Sequence, residues 1–310
     1  MKIVVLSTGA PHHAKRFVEM VNPLTKHELD YPETPFSKDW HTWHPSVKWD
    51  FIDFRKYDAV LTIGTFGVTG PELVSIKSRW PHLKIISCWI GTDILWFQND
   101  PKYKEMLPAL DKVTDRHICD HYPFADELAE MGITARPFRF GTPYATELKP
   151  VPLPEIPTVM SYIPHGMEDK YRLDWVLKAA EECAEVKFRI LARRDSDTIE
   201  TSDNVTFVPY ESERAGYLRE LGKASMVVRV PPHDGVGISY IEAKCMGRWG
   251  INSQRLPFSE YAPTLETLIE SIIRMSGKTD PDTVGAGWYS DVYSPANTAA
   301  EFDKAIRGIE

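Results

Sequence analysis

Short apolar segments and helix-like segments alternate along almost the whole chain. In the first half, β-rich runs at Lys2–Leu6, Asp58–Ile63, Leu83–Cys88 and Val113–Cys119 are separated by helical stretches at His12–Val21, Pro71–Arg79, Pro101–Leu110 and Pro123–Met131. Asp120 is predicted to cap the last of these helices. Such alternation is typical of a parallel sheet whose strands are joined by crossover helices. The sequence therefore predicts an α/β fold.

A proline-rich segment interrupts this pattern near the middle of the chain. Five prolines fall between positions 143 and 157, and proline at this density favours a stiff, extended connector. Beyond it the alternation restarts, with strands at Thr158–Ile163, Val186–Ala192, Val205–Val208, Ser225–Val230 and Gly250–Asn252 and helices at Lys170–Cys183, Glu211–Gly222, Gly237–Met246, Thr264–Met275 and Pro295–Arg307. We predict two doubly wound, Rossmann-like domains, 1–150 and 151–294, that face each other across a cleft, followed by a C-terminal helix over 295–310.

Composition narrows the class of protein. With 310 residues the chain can form two domains, and a formal net charge of −8 disfavours a general nucleic-acid binder. No apolar run approaches the ~20 residues of a membrane span, and the apolar stretch at the start is too short for a signal peptide. The four cysteines lie far apart without a CxxC pair, which indicates reduced thiols. We therefore expect a cytoplasmic protein.

The most informative segment follows the strand at Ser225–Val230. A turn carries Asp234, glycines follow, and a helix then presents Glu242 about one and a half turns from its start. Gly235 and Gly237 allow a ligand to approach the backbone, and the amides from Gly235 through Val236 and Gly237 to Ile238 form an anion site at the helix N-terminus. The Glu242 carboxylate is placed to accept hydrogen bonds from both hydroxyls of a ribose, and Asp234 those of a sugar.

This segment resembles a family signature. Asp234-x7-Glu242 and the following Ala243–Gly247 are similar to the E-x7-E motif of retaining GT-B glycosyltransferases, especially family 4. Asn204–Tyr210 resembles the strand that precedes the motif, and the last helix resembles the one that crosses back to the first domain. The resemblance thus covers most of the chain and implies a GT-B fold.

The resemblance also implies roles for individual residues. Asp169-Lys170 resembles the Glu-Lys-Gly segment whose lysine binds the donor diphosphate, and Ile90–Asp93 resembles a His-Gly-Ser-Asp turn, which makes Asp93 a candidate catalytic residue. The family's arginine beside the first strand of the C-terminal domain is absent, and Arg172 or Arg193 is the candidate to replace its charge. Two further departures are Asp for Glu at position 234 and Ile90 in place of the histidine.

The implied activity is transfer of a hexosyl or pentosyl group from a nucleotide sugar, with a UDP-sugar favoured, to an acceptor hydroxyl. The family resemblance implies retention of anomeric configuration, no metal and no bound cofactor, since the nucleotide sugar is a co-substrate. Fixed cations and amides would stabilise the negative charge on the leaving diphosphate. The acceptor stays open among glycans (including lipid-linked saccharides), small molecules, proteins and hydroxylated nucleic-acid bases, and oligomeric state is not indicated.

Several residues in the first half of the chain are candidates for contact with the acceptor. Gly9 follows the first strand, where doubly wound folds admit ligands, and His13 is a candidate base with His12 beside it. The Trp/His-rich segment at 40–49 is interpreted as an acceptor platform or a hydrophobic flap. His117, Cys119 and His121 face one side of a strand, but without a matching ligand pair elsewhere we do not predict a metal site.

Structural alternatives stand beside each assignment. Asp234 and Asp93 are alternatively helix caps, Glu242 a surface carboxylate, Lys170 a solvated lysine and Gly9 a turn former. At the level of function, a sugar-nucleotide epimerase, a sugar phosphorylase or a non-catalytic nucleotide-sugar-binding protein would share the architecture.

Overall fold

The computed structural model describes residues 1–7, 11–32, 49–64, 70–193, 199–210 and 213–309. The chain divides into two compact units: unit 1 comprises Met1–Pro143 and Tyr293–Glu310, and unit 2 comprises Tyr144–Val292. The first division falls at the first proline of the predicted connector, and the second assigns the C-terminal helix to unit 1.

Unit 1 is built on a six-stranded parallel sheet with the order β2-β1-β3-β4-β5-β6. Its strands are β1 Lys2–Leu6, β2 Glu28–Asp30, β3 Ala59–Ile63, β4 Lys84–Trp89, β5 Arg116–Cys119 and β6 Ala135–Pro137, and its first helices are α1 Pro11–Val21, α2 Gly70–Arg79, α3 Thr92–Asn99, α4 Pro101–Val113 and α5 Tyr122–Glu130. Along β1, Ile3 and Val5 enter one core while Val4 and Leu6 enter the other. Because both faces are covered, the strand is a continuous apolar run.

Unit 2 repeats the architecture with the order β12-β11-β10-β7-β8-β9, again all parallel. Its strands are β7 Thr158–Tyr162, β8 Lys187–Arg193, β9 Val205–Pro209, β10 Met226–Arg229, β11 Trp249–Asn252 and β12 Ser259–Tyr261, and its helices are α6 Leu173–Glu182, α7 Arg214–Gly222, α8 Ile238–Cys245, α9 Leu265–Ser276 and α10 Thr283–Val292. Residues of β7, β8, β10 and β11 form one core with α6 and α9.

The last helix, α11 (Pro295–Ala305), packs within unit 1. Its Phe302 lies against Phe17 of α1, with ring centroids 5.2 Å apart. The Gly141 amide donates to Thr298 Oγ1 at 3.1 Å, and a Cβ at Gly141 would lie 2.2 Å from the Tyr293 carbonyl oxygen. This close approach explains why a glycine precedes the connector.

The elements differ from the sequence-based expectations at several points. α6 begins at Leu173 rather than Lys170, because Arg172 adopts a left-handed conformation (φ 50°) that interrupts the helical backbone. The prediction that Asp120 caps α5 is wrong: the N-cap is His121, and the Asp120 carboxylate accepts from the Phe140 amide at 3.0 Å. Helices α3 and α10 and the three-residue strands β2, β6 and β12 were not predicted; two glycines weaken the helical signal of α10.

Two parallel sheets flanked by helices confirm the predicted α/β class. In unit 2 the chain leaves β7 on one side of the sheet, through β8 and β9, and returns on the other side at β10. The switch point between β7 and β10 is where doubly wound folds open a ligand crevice at the strands' carboxyl ends. Among the described residues, no helix is long and apolar enough to cross a membrane.

Candidate functional site

The two segments of unit 2 with the strongest sequence signals both lie at its switch point. The turn at 163–172 leaves β7 and carries Lys170, and the loop at 230–237 leaves β10 and carries Asp234 before α8 begins. β7 and β10 are hydrogen-bonded neighbours, with Val228 paired to Ser161. The fold therefore brings these two predicted site segments to one edge of one sheet.

The N-terminus of α8 lacks a side-chain cap. Gly237 is the N-cap residue, and its extended backbone (φ −62°, ψ 138°) supplies no side-chain acceptor. Within the described part of the chain, no residue accepts a hydrogen bond from the amides of Gly235, Val236, Gly237 or Ile238. These N–H groups and the helix dipole carry partial positive charge, so the predicted anion site has the donors it needs. Asp234 does not act as the cap.

The Asp234 carboxylate instead forms an ion pair with the guanidinium of Arg229, the last residue of β10. The Arg229 side chain is 10% exposed and that of Asp234 14% exposed. Burial alone lowers the pKa of Arg229, but the Asp234 carboxylate and the Tyr171 hydroxyl outweigh it and raise the pKa above its ordinary value. Arg229 is therefore a permanent cation beneath the glycine loop.

Gly237 is required by this arrangement. A Cβ on Gly237 would lie 2.4 Å from Arg229 Cζ and 2.5 Å from its Nε, closer than side-chain carbons approach other atoms. The guanidinium thus lies directly against the N-cap of α8. At Gly237 the group that lies against the backbone is thus a side chain of the same unit, while the predicted approach of a ligand stays a prediction.

Lys170 and Arg172 diverge from the same turn. Lys170 is half-buried, and its Nζ lies 5.4 Å from the ring centroid of Tyr171, while Arg229 Cζ lies 5.0 Å from the same ring. Arg172, in contrast, stacks on Trp175 with Cζ 3.9 Å from the ring. Tyr171 therefore brings Lys170 and Arg229 together, while Arg172 lies on the indole of α6.

Glu242 is buried in α8, with a side chain only 2% exposed, so the surface-carboxylate alternative is wrong. Its Oε2 lies 3.0 Å from Arg214 Nη1, and its carboxylate also pairs with the Tyr217 hydroxyl. Burial, followed by the negative charge of Glu242, raises the pKa of Tyr217. Arg214 in turn stacks on Tyr144, with Cζ 3.8 Å from the ring.

The predicted residues of unit 1 have other environments. Asp93 is fully buried, and its Oδ1 accepts from the amides of Ile90 (3.0 Å), Gly91 (2.9 Å) and Ile94 (3.0 Å), which favours the capping alternative. His13 is half-buried on α1, edge-on to Phe140 at 6.2 Å. Gly9, the His12 side chain, the Arg193 side chain and positions 40–48 lie outside the described residues, whereas Trp49 is buried in the core.

The His-Cys-His stretch has local partners of its own. His117 accepts from Trp89 Nε1 at 3.1 Å and contacts Asp111 Oδ1 at 3.1 Å, and the Cys119 thiol donates to the His121 carbonyl at 3.4 Å. Burial raises the pKa of Cys119 to about 12. No cluster of three or more His, Cys, Asp or Glu side chains suited to a metal ion occurs among the residues described.

Solved structures similar to this chain share the two-unit α/β architecture over nearly its full length. Sucrose-phosphate synthase from Thermosynechococcus elongatus matches with a TM-score of 0.74 and 14% identity, covering 99% of this chain and 98% of that one. HepE of Anabaena, solved with UDP and glucose, matches with a TM-score of 0.69 and 11% identity, and the match covers 98% of this chain and 98% of that one. The chain has the GT-B fold. No protein-family model and no curated protein sequence matches it.

The GT-B fold is shared by proteins of different activity. A protein from Listeria monocytogenes named as a UDP-N-acetylglucosamine 2-epimerase matches with a TM-score of 0.57 and 11% identity, covering 99% of this chain and 95% of that one. At these identities the similarities establish the fold. The chemistry has to be argued from the side chains.

Sequence reasoning missed the arginines that neutralise both acids of the Asp234-x7-Glu242 motif in this GT-B chain. Arg229 had a signal, because a charged residue inside the apolar run from Met226 to Val230 is unusual for a buried strand. Arg214 had no such signal, since its pairing with Glu242 depends on how α7 packs beside α8.

Proposed function

We propose that this protein is a glycosyltransferase that moves a hexosyl or pentosyl group from a nucleotide sugar, with a UDP-sugar favoured, to an acceptor hydroxyl. The observation that carries the proposal is the set of amides at the N-terminus of α8, which have no acceptor among the described residues and lie beside the Arg229 guanidinium at the switch point of unit 2. Such a site suits the two phosphates of a nucleoside diphosphate. The complexes of HepE with UDP and with UDP-glucose support the choice of base.

The chemistry requires stabilisation of a leaving group. The bond between the anomeric carbon and the diphosphate oxygen breaks, its electron pair stays with the phosphate, and a new bond forms to the acceptor oxygen, whose proton passes to a base. In this proposal Lys170 and the amides of Gly235–Ile238 stabilise the developing negative charge, and such electrostatic stabilisation is the largest catalytic contribution in many enzymes. Because an ammonium group and amide donors can take the place of a divalent metal at the diphosphate, we expect the reaction to need no metal or bound cofactor. Retention of configuration is what the resemblance to the retaining GT-B family implies.

Glu242 takes the ribose in this proposal. Its side chain is almost inaccessible while Arg214 covers it, so ribose binding requires the Arg214 guanidinium to share or yield the carboxylate. We expect Glu242→Gln to weaken binding of UDP while leaving binding of inorganic pyrophosphate unchanged, because only the nucleotide carries the ribose.

The acceptor side rests on sequence alone. His13 is kept as the candidate base, whereas Asp93 is better assigned to holding the turn before α3, because its carboxylate accepts from three backbone amides. The acceptor and the cytoplasmic location stay predictions.

A ligand panel tests the proposal. Thermal shifts of the purified protein are measured with UDP, GDP, ADP, TDP and their sugars, and we expect UDP and a UDP-sugar to raise the midpoint most. Proton NMR of the best donor with candidate acceptors then follows its anomeric signal, and we expect a new α- or β-glycoside of unchanged configuration together with free UDP. A protein that binds none of these ligands would refute the proposal.

A sugar-nucleotide epimerase is the second candidate, favoured by the similarity to the Listeria protein. In the same NMR experiment without acceptor, an epimerase would convert the donor sugar to its epimer. Binding of the nucleotide sugar with neither epimer nor glycoside nor free diphosphate would identify a non-catalytic binding protein.

A further inference from the structure

Arg229 is an unusual residue for its place in the fold. It ends β10, the strand beside the centre of the unit 2 sheet, and its side chain is nine-tenths buried. Burying a guanidinium costs free energy that an apolar side chain in the same strand would not. Its burial therefore calls for a purpose beyond packing.

The contacts of Arg229 leave part of its hydrogen-bonding capacity unused. One Nη pairs with Asp234 and the Tyr171 hydroxyl is a second partner, but Nε has no hydrogen-bond partner and no contact with solvent in the part of the chain that the structure describes. Buried donors are normally satisfied. The same guanidinium lies against Gly237, at the unpaired amides of α8.

These observations place several donors at one point. Among the described residues, the Nε of Arg229 and the amides of Gly235–Ile238 have no acceptor, and the Lys170 ammonium lies 5.4 Å from the Tyr171 ring that Arg229 also contacts. Asp234 pairs with Arg229, while the amides at the start of α8 carry the partial positive charge of a helix N-terminus. A ligand that completes this group of donors must bring several anionic oxygens close together.

We propose that Arg229 binds the diphosphate of the nucleotide, and that Asp234 is a positioning residue that orients Arg229 rather than a ligand of the donor sugar. This inference rests on the proposed function and deepens it. Arg229 supplies the charge for which the sequence-based candidates were Arg172 and Arg193, and the side chain of Arg193 lies outside the described residues. Arg172 is less suited, since its guanidinium stacks on Trp175 while that of Arg229 contacts the anion site.

Calorimetric titrations with UDP, uridine and inorganic pyrophosphate test the assignment of Arg229. Because Arg229→Leu alone strands a buried carboxylate, the variant is the double replacement Arg229→Leu with Asp234→Asn, whose fold is checked by its thermal midpoint. We expect affinity for UDP and for pyrophosphate to fall about tenfold to hundredfold while affinity for uridine stays within about twofold. Arg229→Lys keeps the charge without the planar fork and should give an intermediate loss.

The outcomes separate this inference from the proposed function. An unchanged affinity of the folded double variant for UDP and pyrophosphate would overturn the role of Arg229. If the wild-type protein binds pyrophosphate but not UDP, the nucleotide-sugar proposal falls, while loss of pyrophosphate binding in the variant still supports Arg229. If the wild-type protein binds none of the three probes, both fall.

Asp234→Asn tests the positioning role. If Asp234 acts through Arg229, Asp234→Asn lowers the affinities for UDP and for UDP-glucose by the same factor. Asp234→Glu then restores part of both affinities. If Asp234 instead holds the donor sugar, Asp234→Asn lowers the affinity for UDP-glucose and leaves the affinity for UDP unchanged. That result would overturn the positioning role.

Discussion

Lys170 owes its place to a turn rather than to a helix. The left-handed conformation of Arg172 delays α6 until Leu173, so Lys170 lies on the turn that follows β7 at the switch point. A lysine one turn inside α6 would be positioned by the helix instead. Its ammonium lies 5.4 Å from the centroid of the Tyr171 ring, which Arg229 also contacts.

Lys170→Ala should lower kcat by about 10²- to 10³-fold, the range found for loss of one preorganised donor to a developing anion. The free energy of unfolding should change by less than about 0.5 kcal/mol, since the Lys170 side chain is only half-buried and lies on a turn. Turnover is measured by release of UDP, and Lys178→Ala on the exposed face of α6 is the matched control. Equal turnover in wild type and Lys170→Ala would remove Lys170 from the site.

The buried His117 should make the free energy of unfolding depend on pH. Burial lowers its pKa, an effect only partly opposed by Asp111, and Trp89 Nε1 donates to Nδ1, which fixes the neutral imidazole. The imidazole of the unfolded chain therefore binds a proton more readily than that of the folded chain. The stability that neutral His117 confers is complete above about pH 6.5 and falls as the pH drops below that value. The free energy of unfolding falls by at most about 1.4 kcal/mol per pH unit.

Urea unfolding at several values between pH 7.5 and 5 measures this effect. We expect His117→Gln, whose amide can accept from Trp89 and donate to Asp111, to flatten the profile below pH 6.5, and the exposed His82→Gln to leave it as in the wild type. A profile for His117→Gln that is as steep as the wild-type profile would contradict the account.

At the scale of elements, α8 joins the proposed ligand site to the rest of unit 2. Its N-terminus carries the amides that have no acceptor among the described residues, and Glu242 follows about one and a half turns later. The fully buried Lys244 then pairs with Asp282 at 2.6 Å and donates to the Phe258 carbonyl at 2.7 Å. Asp282 in turn accepts from the Gly285 amide at 2.8 Å in α10. This pair therefore links α8 to α10.

Lys244→Met should lower the free energy of unfolding by about 3–5 kcal/mol, because it leaves the Asp282 carboxylate buried without its cation. Replacing both residues, Lys244→Met with Asp282→Asn, should recover much of that loss, since asparagine still accepts from the Gly285 amide. Urea unfolding measures both variants. A single variant as stable as the wild type would show that the pair does not hold α10.

Gly237→Ala tests the close packing at the start of α8. Its Cβ would overlap the Arg229 guanidinium, so we expect loss of UDP affinity by at least about tenfold from displacement of a charge-assisted contact. Gly287→Ala in α10 is the matched control, because it is exposed and a Cβ there meets nothing within 4 Å. We expect Gly287→Ala to raise the stability of the protein slightly and to bind UDP as the wild type does. Unchanged affinity in Gly237→Ala would contradict the packing described.

At the scale of the whole molecule, the fold could be predicted because strands covered on both faces are continuous apolar runs, such as β3, in which every residue is buried. The three-residue strands β2, β6 and β12 are too short to leave such a signal. For the site, a strand, a glycine turn and a helix could be placed in order because they are consecutive in sequence.

The partners of the two acids could not be predicted in the same way. Arg214 reaches Glu242 from α7, and Tyr171 reaches Arg229 from the turn after β7, so both pairings depend on tertiary packing rather than on spacing. The identity of the acids was thus readable from the motif, while their electrostatic environment was not. That environment is the reason we propose a positioning role for Asp234.

The most direct test of the account is a crystal structure of the protein with UDP. We expect the phosphates to accept hydrogen bonds from the amides of Gly235–Ile238 and from Arg229, with Lys170 within ion-pair distance and the ribose at Glu242. Density for UDP at another part of the molecule, or a fully occupied crystal in which the loop between β10 and α8 contacts no phosphate, would contradict the central claim.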